Sequence, residues 1–310
     1  MKLISYLKKV IENPFKPFGT LAMNVPVINH NLSDRVYLKV VYRSIFHRKL
    51  NLTTPKLYTE KLQWLKLYNR KDIYTKMVDK YEVKDYVAKI IGNKHILRTL
   101  GVWNSFEDID FSTLPNQFVL KCTHDSGGLV ICKDKNDFNF IAAKQKINTC
   151  LKNKFFYQGR EWPYKNVIPR IIAEEYVVDE SGVELKDYKF FCFNGKAKVM
   201  FLASDRGQSD EETKFDFFDM NFKHLPIKSG HPNSKVHFEK PKNFELMKQL
   251  AEQLAVDLPH ARIDFYDVNG EIYFGEITFF HWSGFVSFEP QEWDYKFGEW
   301  LVLPKEKVIK

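Results

Sequence analysis

The segment 258–280, LPHARIDFYDVNGEIYFGEITFF, holds two runs of alternating side chains around Val268-Asn269-Gly270, and each run carries a carboxylate among apolar neighbours. This pattern reads as a β-hairpin. Period-2 alternation puts Arg262, Asp264 and Tyr266 on one face of the first strand, Ile263 and Phe265 on the other, and Glu276 with Thr278 on one face of the second. An acid inside an apolar strand is costly unless it is exposed, paired or bound to a cation. Two readings stay open: Asp264 and Glu276 hold Mg²⁺, which suits oxygen ligands on a rigid sheet, or the hairpin has a solvated acidic face. Register separates them. A two-residue Asn269-Gly270 turn, the default for that dipeptide, sets Asp264 opposite Gly275 and sends Glu276 to the other face. The metal reading therefore requires a three-residue loop over Asn269, Gly270 and Glu271, which sets Asp264 opposite Glu276 and Arg262 opposite Thr278.

A chain of 310 residues with 44% apolar and 15% aromatic content has ample core material for one large or two to three small domains. No apolar run approaches the roughly 20 residues of a membrane span, and charges interrupt the N-terminal MKLISYLKKVIE, which lacks the shape of a signal peptide. Cys122, Cys132, Cys150 and Cys192 show no paired spacing, so reduced core thiols and a cytoplasmic location are expected. The net charge of +8 is uneven: residues 1–100 hold 20 Lys/Arg against 7 Asp/Glu (+13), leaving 27 against 32 (−5). The N-terminal third thus offers a basic face to an acidic polymer or a membrane, or simply a solvated lysine-rich surface. With no zinc spacing, RNA-binding signature or helix-turn-helix pattern, nucleic acid is not an expected partner. Residues 1–12 pattern as an amphipathic helix, with Leu3, Ile4, Leu7, Val10 and Ile11 opposite Lys2, Lys8 and Lys9, that packs on the body or lies on the inner membrane face.

Pro14, Pro17, Gly19 and Pro26 are expected to break the chain before helices at 34–49 and 59–67. A further helix ends at Gly92; strands at 117–123 and 129–133 flank a Gly127-Gly128 loop, a helix follows at 142–152, and a strand at 171–178. Residues 186–193 and 196–203 form a hairpin over Asn194-Gly195, and 243–255 a helix with Phe244, Met247, Leu250, Ala251 and Leu254 on one face.

Several of these elements carry polar residues suited to a nucleotide. Lys121 ends a strand ahead of Ser126, Gly127 and Gly128, whose backbone N–H groups can cradle phosphate oxygens, although a ligand-free hairpin uses the same turn. In IIAEEYVVD a buried strand exits through Glu174, Glu175, Tyr176 and Val177, which can present backbone groups to an adenine edge and an acid to ribose, or form an ordinary strand end. Lys189 shares a face with Asp187, and a buried lysine needs an anionic partner. Arg206 follows the partner strand. Asp108-Ile109-Asp110 is either a turn or the Asp-x-Asp of a metal-dependent glycosyltransferase.

Taken in order, Lys121 with its glycine loop, Glu-Glu-Tyr-Val, Asp187-x-Lys189, Arg206, Arg262-x-Asp264 and Glu276-x-Thr278 resemble the ATP-grasp superfamily. PKLYTEKLQWLKLY, DKYEVKDYV, LPNQFVLKCTHDSGG, DYKFFCFNGK and RIDFY…YFGEITF together resemble its teichuronopeptide-biosynthesis branch, found with surface-polysaccharide genes. The resemblance implies an α+β chain: a basic, mainly helical region over 1–78, a linking segment over 79–116, and two α/β lobes, 117–180 and 181–310, clamping ATP. It implies that Lys80, Lys121, Ser126, Gly127, Gly128 and Lys189 hold phosphates, Glu174, Glu175, Tyr176 and Val177 the adenosine, and Asp264, Glu276 and Thr278 Mg²⁺, with Arg262, Lys189 and Arg206 catalytic. Thr278 stands where many relatives have an asparagine, and offers only a hydroxyl toward a second metal; HWSGF replaces the usual Pro-Gly loop, which implies a different acceptor loop. The activity implied is an ATP-dependent carboxylate–amine ligase joining an amino acid or peptide to a uronic acid unit of an acidic surface glycan. A metal-dependent glycosyltransferase and a non-catalytic glycan-binding or assembly protein with an ATP-grasp-like fold are the alternatives.

Overall fold

A computed structural model describes residues 13–178, 185–204 and 212–310. The amphipathic segment 1–12 and Arg206 lie outside the described residues. Helices come first: α1 (Lys16–Asn24), α2 (Pro26–Asn31), α3 (Asp34–Phe46), α4 (Tyr58–Tyr68), α5 (Ile73–Val78) and α6 (Glu82–Ile91). The expected breaks at Pro17, Gly19 and Pro26 are corrected here. Both prolines fall in the first turn of a helix, where their missing N–H has no acceptor to lose, and Gly19 lies within α1, where a side chain would collide with Ser44 of α3. Part of the N-terminal basic excess also points inward. Lys66 is wholly buried, Arg70 pairs with Asp34 at 2.6 Å, and Lys61 donates at 2.7 Å to the carbonyls of Gly298 and Leu301.

The first sheet contains β1 (Thr99–Trp103), β2 (Phe118–Cys122), β3 (Leu129–Cys132) and β4 (Ile171–Glu175), all antiparallel, in the order β1-β4-β2-β3. One face carries Phe118, Leu120, Cys122, Ile171 and Ala173, which join Ala143 and Ile147 of α7 (Phe140–Leu151) in a small core. The other face carries Lys121 and Glu174, placed diagonally because Lys121 opposes Ile172 and Glu174 opposes Val119. The short α8 (Phe156–Gly159) lies between α7 and β4 in the chain.

The second sheet has six antiparallel strands in the order β10-β9-β5-β6-β7-β8. These are β5 (Asp187–Phe193), β6 (Lys196–Ser204), β7 (Lys214–Asp219), β8 (His224–Leu225), β9 (His260–Val268) and β10 (Glu271–Thr278). Phe244, Met247, Leu250, Ala251 and Leu254 of α9 (Phe244–Leu254) are buried, each contributing about 1.5–3 kcal/mol if of Leu or Phe size. The last helix, α10 (Glu292–Trp300), is fastened to α4 by Asp294, whose carboxylate accepts from Thr59 N at 2.9 Å and Thr59 Oγ1 at 2.8 Å.

The β9–β10 hairpin corrects the expected loop. Val268 pairs with Glu271, so the turn is the two-residue Asn269-Gly270, with φ of 54° and 88°. Register nevertheless changes between Phe274 and Glu276, where Gly275 is an extra residue, and from there Asp264 opposes Glu276 and Arg262 opposes Thr278. A β-bulge does what a longer loop was required to do. It also lets Ile272 and Phe274 face the core while Glu276 and Thr278, after the bulge, face away from it.

Candidate functional site

Facing one another across a cleft of about 680 Å³ are the polar faces of both sheets. On the six-stranded sheet, strand pairing sets Phe201, Lys189, Asp264 and Glu276 in one row across β6, β5, β9 and β10. Arg262 lies in the adjacent row and reaches across. Its Nε and Nη2 each donate to Asp264 at 2.7 Å, and Nη2 also donates to Glu276 at 2.6 Å and Thr278 Oγ1 at 3.0 Å. Lys189 pairs with Asp187 at 2.5 Å and with Asp264. The buried lysine therefore has its anionic partners, one from its own strand and one from the neighbouring strand.

These contacts set the charge states. Burial pushes the Asp264 carboxyl up, opposed by Arg262 and Lys189. Burial also raises Glu276, but Arg262, Lys189, Lys80 and the Thr278 hydroxyl outweigh it and hold that carboxyl at about 2. Glu276 is the more open of the two acids, with its side chain 42% exposed against 1% for Asp264.

The opposite wall is cationic. Lys121 and Lys84 each pair with Glu174 at 2.5 Å, and despite burial they hold its carboxyl at about 2. Burial pulls the Lys80 ammonium down, against Glu276 and Asp125. Lys80 also donates to the Asp125 carbonyl, tying the segment between α5 and α6 to the β2–β3 loop. In that loop the Asp125 carboxylate accepts from Gly127 N at 3.2 Å and Gly128 N at 3.0 Å, so both glycine amides already have an acceptor.

Lys80, Lys121, Ser126, Gly128, Glu174, Lys189, Arg262, Asp264, Glu276 and Thr278 all line this cleft; Gly127, Glu175, Tyr176 and Val177 do not. Glu175 pairs loosely with Arg98 at 3.7 Å instead. Asp108 and Asp110 lie outside the cleft lining and cap turns, accepting from Ser105 N at 3.1 Å and Ser112 N at 3.0 Å.

Other lining residues carry no motif that reveals them in sequence. Lys84 is one helical turn beyond Lys80 and reads as a solvated helix cation. Tyr164, His281, Trp282 and Ser283 come from short 3-10 turns, and Glu161 and His231 from segments outside regular helices and strands. His281 Nδ1 lies 3.0 Å from Arg262 Nη1. A guanidinium only donates, so Nδ1 accepts and the imidazole proton sits on Nε2. That Nε2 is buried without a hydrogen-bond partner among the described residues, and burial followed by the charge of Arg262 drives the ring far below its ordinary pKa. Trp282, Ser283 and Gly284 run consecutively through left-handed φ of 49°, 52° and 63°. Gln63 and Lys66 of α4 hold this turn, donating to Ser283 O at 3.1 and 2.7 Å, and Gln63 also to Gly284 O at 3.0 Å.

Asp264 and Glu276 are two hard oxygen donors converging from adjacent strands, a set whose chemistry would suit Mg²⁺. No third acid, histidine or cysteine joins them among the described residues. Thr278 sits beside this pair as an orienting group, its hydroxyl donating to Glu276 at 3.1 Å while accepting from Arg262.

Residues 60–302 match a family model described as TupA-like ATPgrasp. Among solved structures, the chain is similar to D-alanine–D-alanine ligase from Helicobacter pylori, at 14% identity and a TM-score of 0.41, over 79% of this chain and 69% of that one. It is also similar to the Bacillus anthracis D-alanine–D-alanine ligase complexed with ATP, at 16% identity and a TM-score of 0.38, over 65% of this chain and 54% of that one. A third likeness is to the ATP-grasp ligase PsnB complexed with minimal precursor, at 8% identity and a TM-score of 0.37, over 67% and 54%. A comparison with curated proteins gives no match.

Proposed function

Because the chain belongs to the TupA-like ATP-grasp family, we propose that it is an ATP-dependent carboxylate–amine ligase that activates a carboxylate as an acyl phosphate before an amine displaces the phosphate. The observation that carries this reading is the row Lys189–Asp264–Glu276 with Arg262 laid across it, facing Lys80, Lys84 and Lys121 in one cleft. A carboxylate oxygen leaves poorly and phosphate leaves well, so the protein's share of the work is to position the reactants and neutralise charge. Lys80, Lys121 and Lys189 oppose the nucleotide phosphates. Glu174 keeps Lys121 and Lys84 aimed into the cleft, and the apolar side chains of Ile96 and Leu97 offer a surface for the adenosine. Asp264 and Glu276 would hold Mg²⁺, whose contribution when bound is charge neutralisation at phosphate oxygens. Arg262, fixed by both acids, faces the transferring phosphoryl group and the acyl oxygen.

The branch's association with surface polysaccharide supports a uronic acid unit of an acidic glycan as carboxylate donor, and an amino acid or peptide as amine. The basic excess in the N-terminal third suits such a glycan at the inner membrane face; no helix among the described residues is long and apolar enough to cross a membrane. The test is ADP release by the purified protein with uronates and amino acids in combination. Release stimulated above the ATP-only rate is expected; if no combination stimulates it, the ligase reading fails.

A further inference from the structure

Chemically, the two ends of the cleft differ. Lys80, Lys84 and Lys121 gather at one, whereas the other is lined by Phe155, Tyr164, Trp282 and the carboxylate of Glu161. Glu161 is 6% exposed, its Oε1 accepts the Ser283 hydroxyl, and no lysine or arginine among the described residues forms a direct ion pair with it. Lys66, the cation whose charge acts most on it, donates to Gly159 O at 2.6 Å and Ser283 O at 2.7 Å instead, and so fixes both segments that shape the Glu161 site. A buried carboxylate held by a neutral donor, without a direct cation and beside aromatic faces, is built to receive a positive group. Glu161 lines the same cleft as Arg262 and Glu276, and the charges of both act on it.

Resting on the ligase reading, we propose that Glu161 anchors the amine substrate, the ammonium group of an amino acid or peptide, and accepts the first proton that its nitrogen loses. The bound ammonium first gives one proton to the Glu161 carboxylate, which frees the nitrogen lone pair to form the C–N bond at the acyl carbon; the second proton, acidic once that bond has formed, leaves with the departing phosphate. The C–O bond to phosphate breaks, and phosphate leaves with the electron pair. Burial raises the Glu161 carboxyl, against Lys66 and the Ser283 hydroxyl, which makes it a stronger base than an exposed glutamate.

The experiment gives full-length wild type, Glu161→Gln, Glu161→Asp and Arg262→Ala ATP, glucuronate or galacturonate, free and oligomeric, and either hydroxylamine or each proteinogenic amino acid. Hydroxylamine is neutral near neutral pH and attacks an acyl phosphate without an ammonium anchor. Glu161→Gln is expected to lower amide formation at least about tenfold more than hydroxamate formation and to raise KM for the amino acid. Glu161→Asp should recover part of the loss, and Arg262→Ala should lose both products. Equal loss of both products in Glu161→Gln, or an undiminished amide rate, overturns the proposal. So does hydroxamate from wild type with no amide from any amino acid. If wild type makes no hydroxamate, the ligase reading itself falls, and that failure is distinct from the others.

Discussion

Asp264 holds two cations while almost wholly buried, so its removal leaves Arg262 with Glu276 alone and Lys189 with Asp187 alone among the described acids. Breaking a buried pair by deleting one partner costs about 3–5 kcal/mol. Asp264→Ala should therefore lower the thermal midpoint and abolish uronate-stimulated ADP release, both readable on one preparation. A variant with wild-type melting and turnover would remove Asp264 from the site. Glu174 makes a pH prediction. Its folded pKa of about 2 lies below the ordinary glutamate value of 4.5, so its contribution to stability is present above 4.5 and is lost as pH falls toward 2. Glu174→Gln should flatten that part of the acid-unfolding curve, measured by circular dichroism. Alternation alone places Lys189 and Arg262 beside acids, which is why they were legible. Glu161, His281 and Ser283 were not, because their partners lie 122 residues apart in the Ser283–Glu161 bond and no local period joins them.

At the scale of elements, the β9–β10 hairpin separates what local sequence specifies from what it leaves open. The Asn-Gly dipeptide specified its turn, and the facing of Asp264 and Glu276 followed from their chemistry; Gly275 looked like any strand glycine, yet it reconciles the two. A Cβ there would stand 3.1 Å from the Asp264 carbonyl and 3.3 Å from the Tyr266 ring. Gly275→Val should thus displace Asp264 and reduce ADP release by about tenfold or more, while Gly270→Ala, remote from the cleft but at φ 88°, should cost about 1–2 kcal/mol of stability and little turnover. Comparing melting with turnover in the two variants checks both expectations. Strands β2 to β6, β9, β10 and helix α9 were readable from their periods, and their observed ends fall within a few residues of those expected, whereas β1, β7 and β8 were not foreseen. The helices at Pro17 and Pro26 were misread because a proline marks a helix start as readily as a break.

For the molecule as a whole, two sheets and a helical region meet at one cleft, and α4 reaches its far end through Gln63 and Lys66. The family and the mixed α+β architecture were legible in the order of motifs; the geometry of the far end depends on contacts between segments that no motif links. The lining of this cleft is close to balanced in charge. Its five basic side chains, Lys80, Lys84, Lys121, Lys189 and Arg262, are met by six acidic ones, Asp125, Glu161, Glu174, Asp187, Asp264 and Glu276. A pocket that carries its own counter-ions has few bulk ions to release when an anion enters, and its pairs are shielded from the Debye atmosphere. Nucleotide affinity, titrated from low to high potassium chloride, should accordingly change far less than for an open lysine-rich surface.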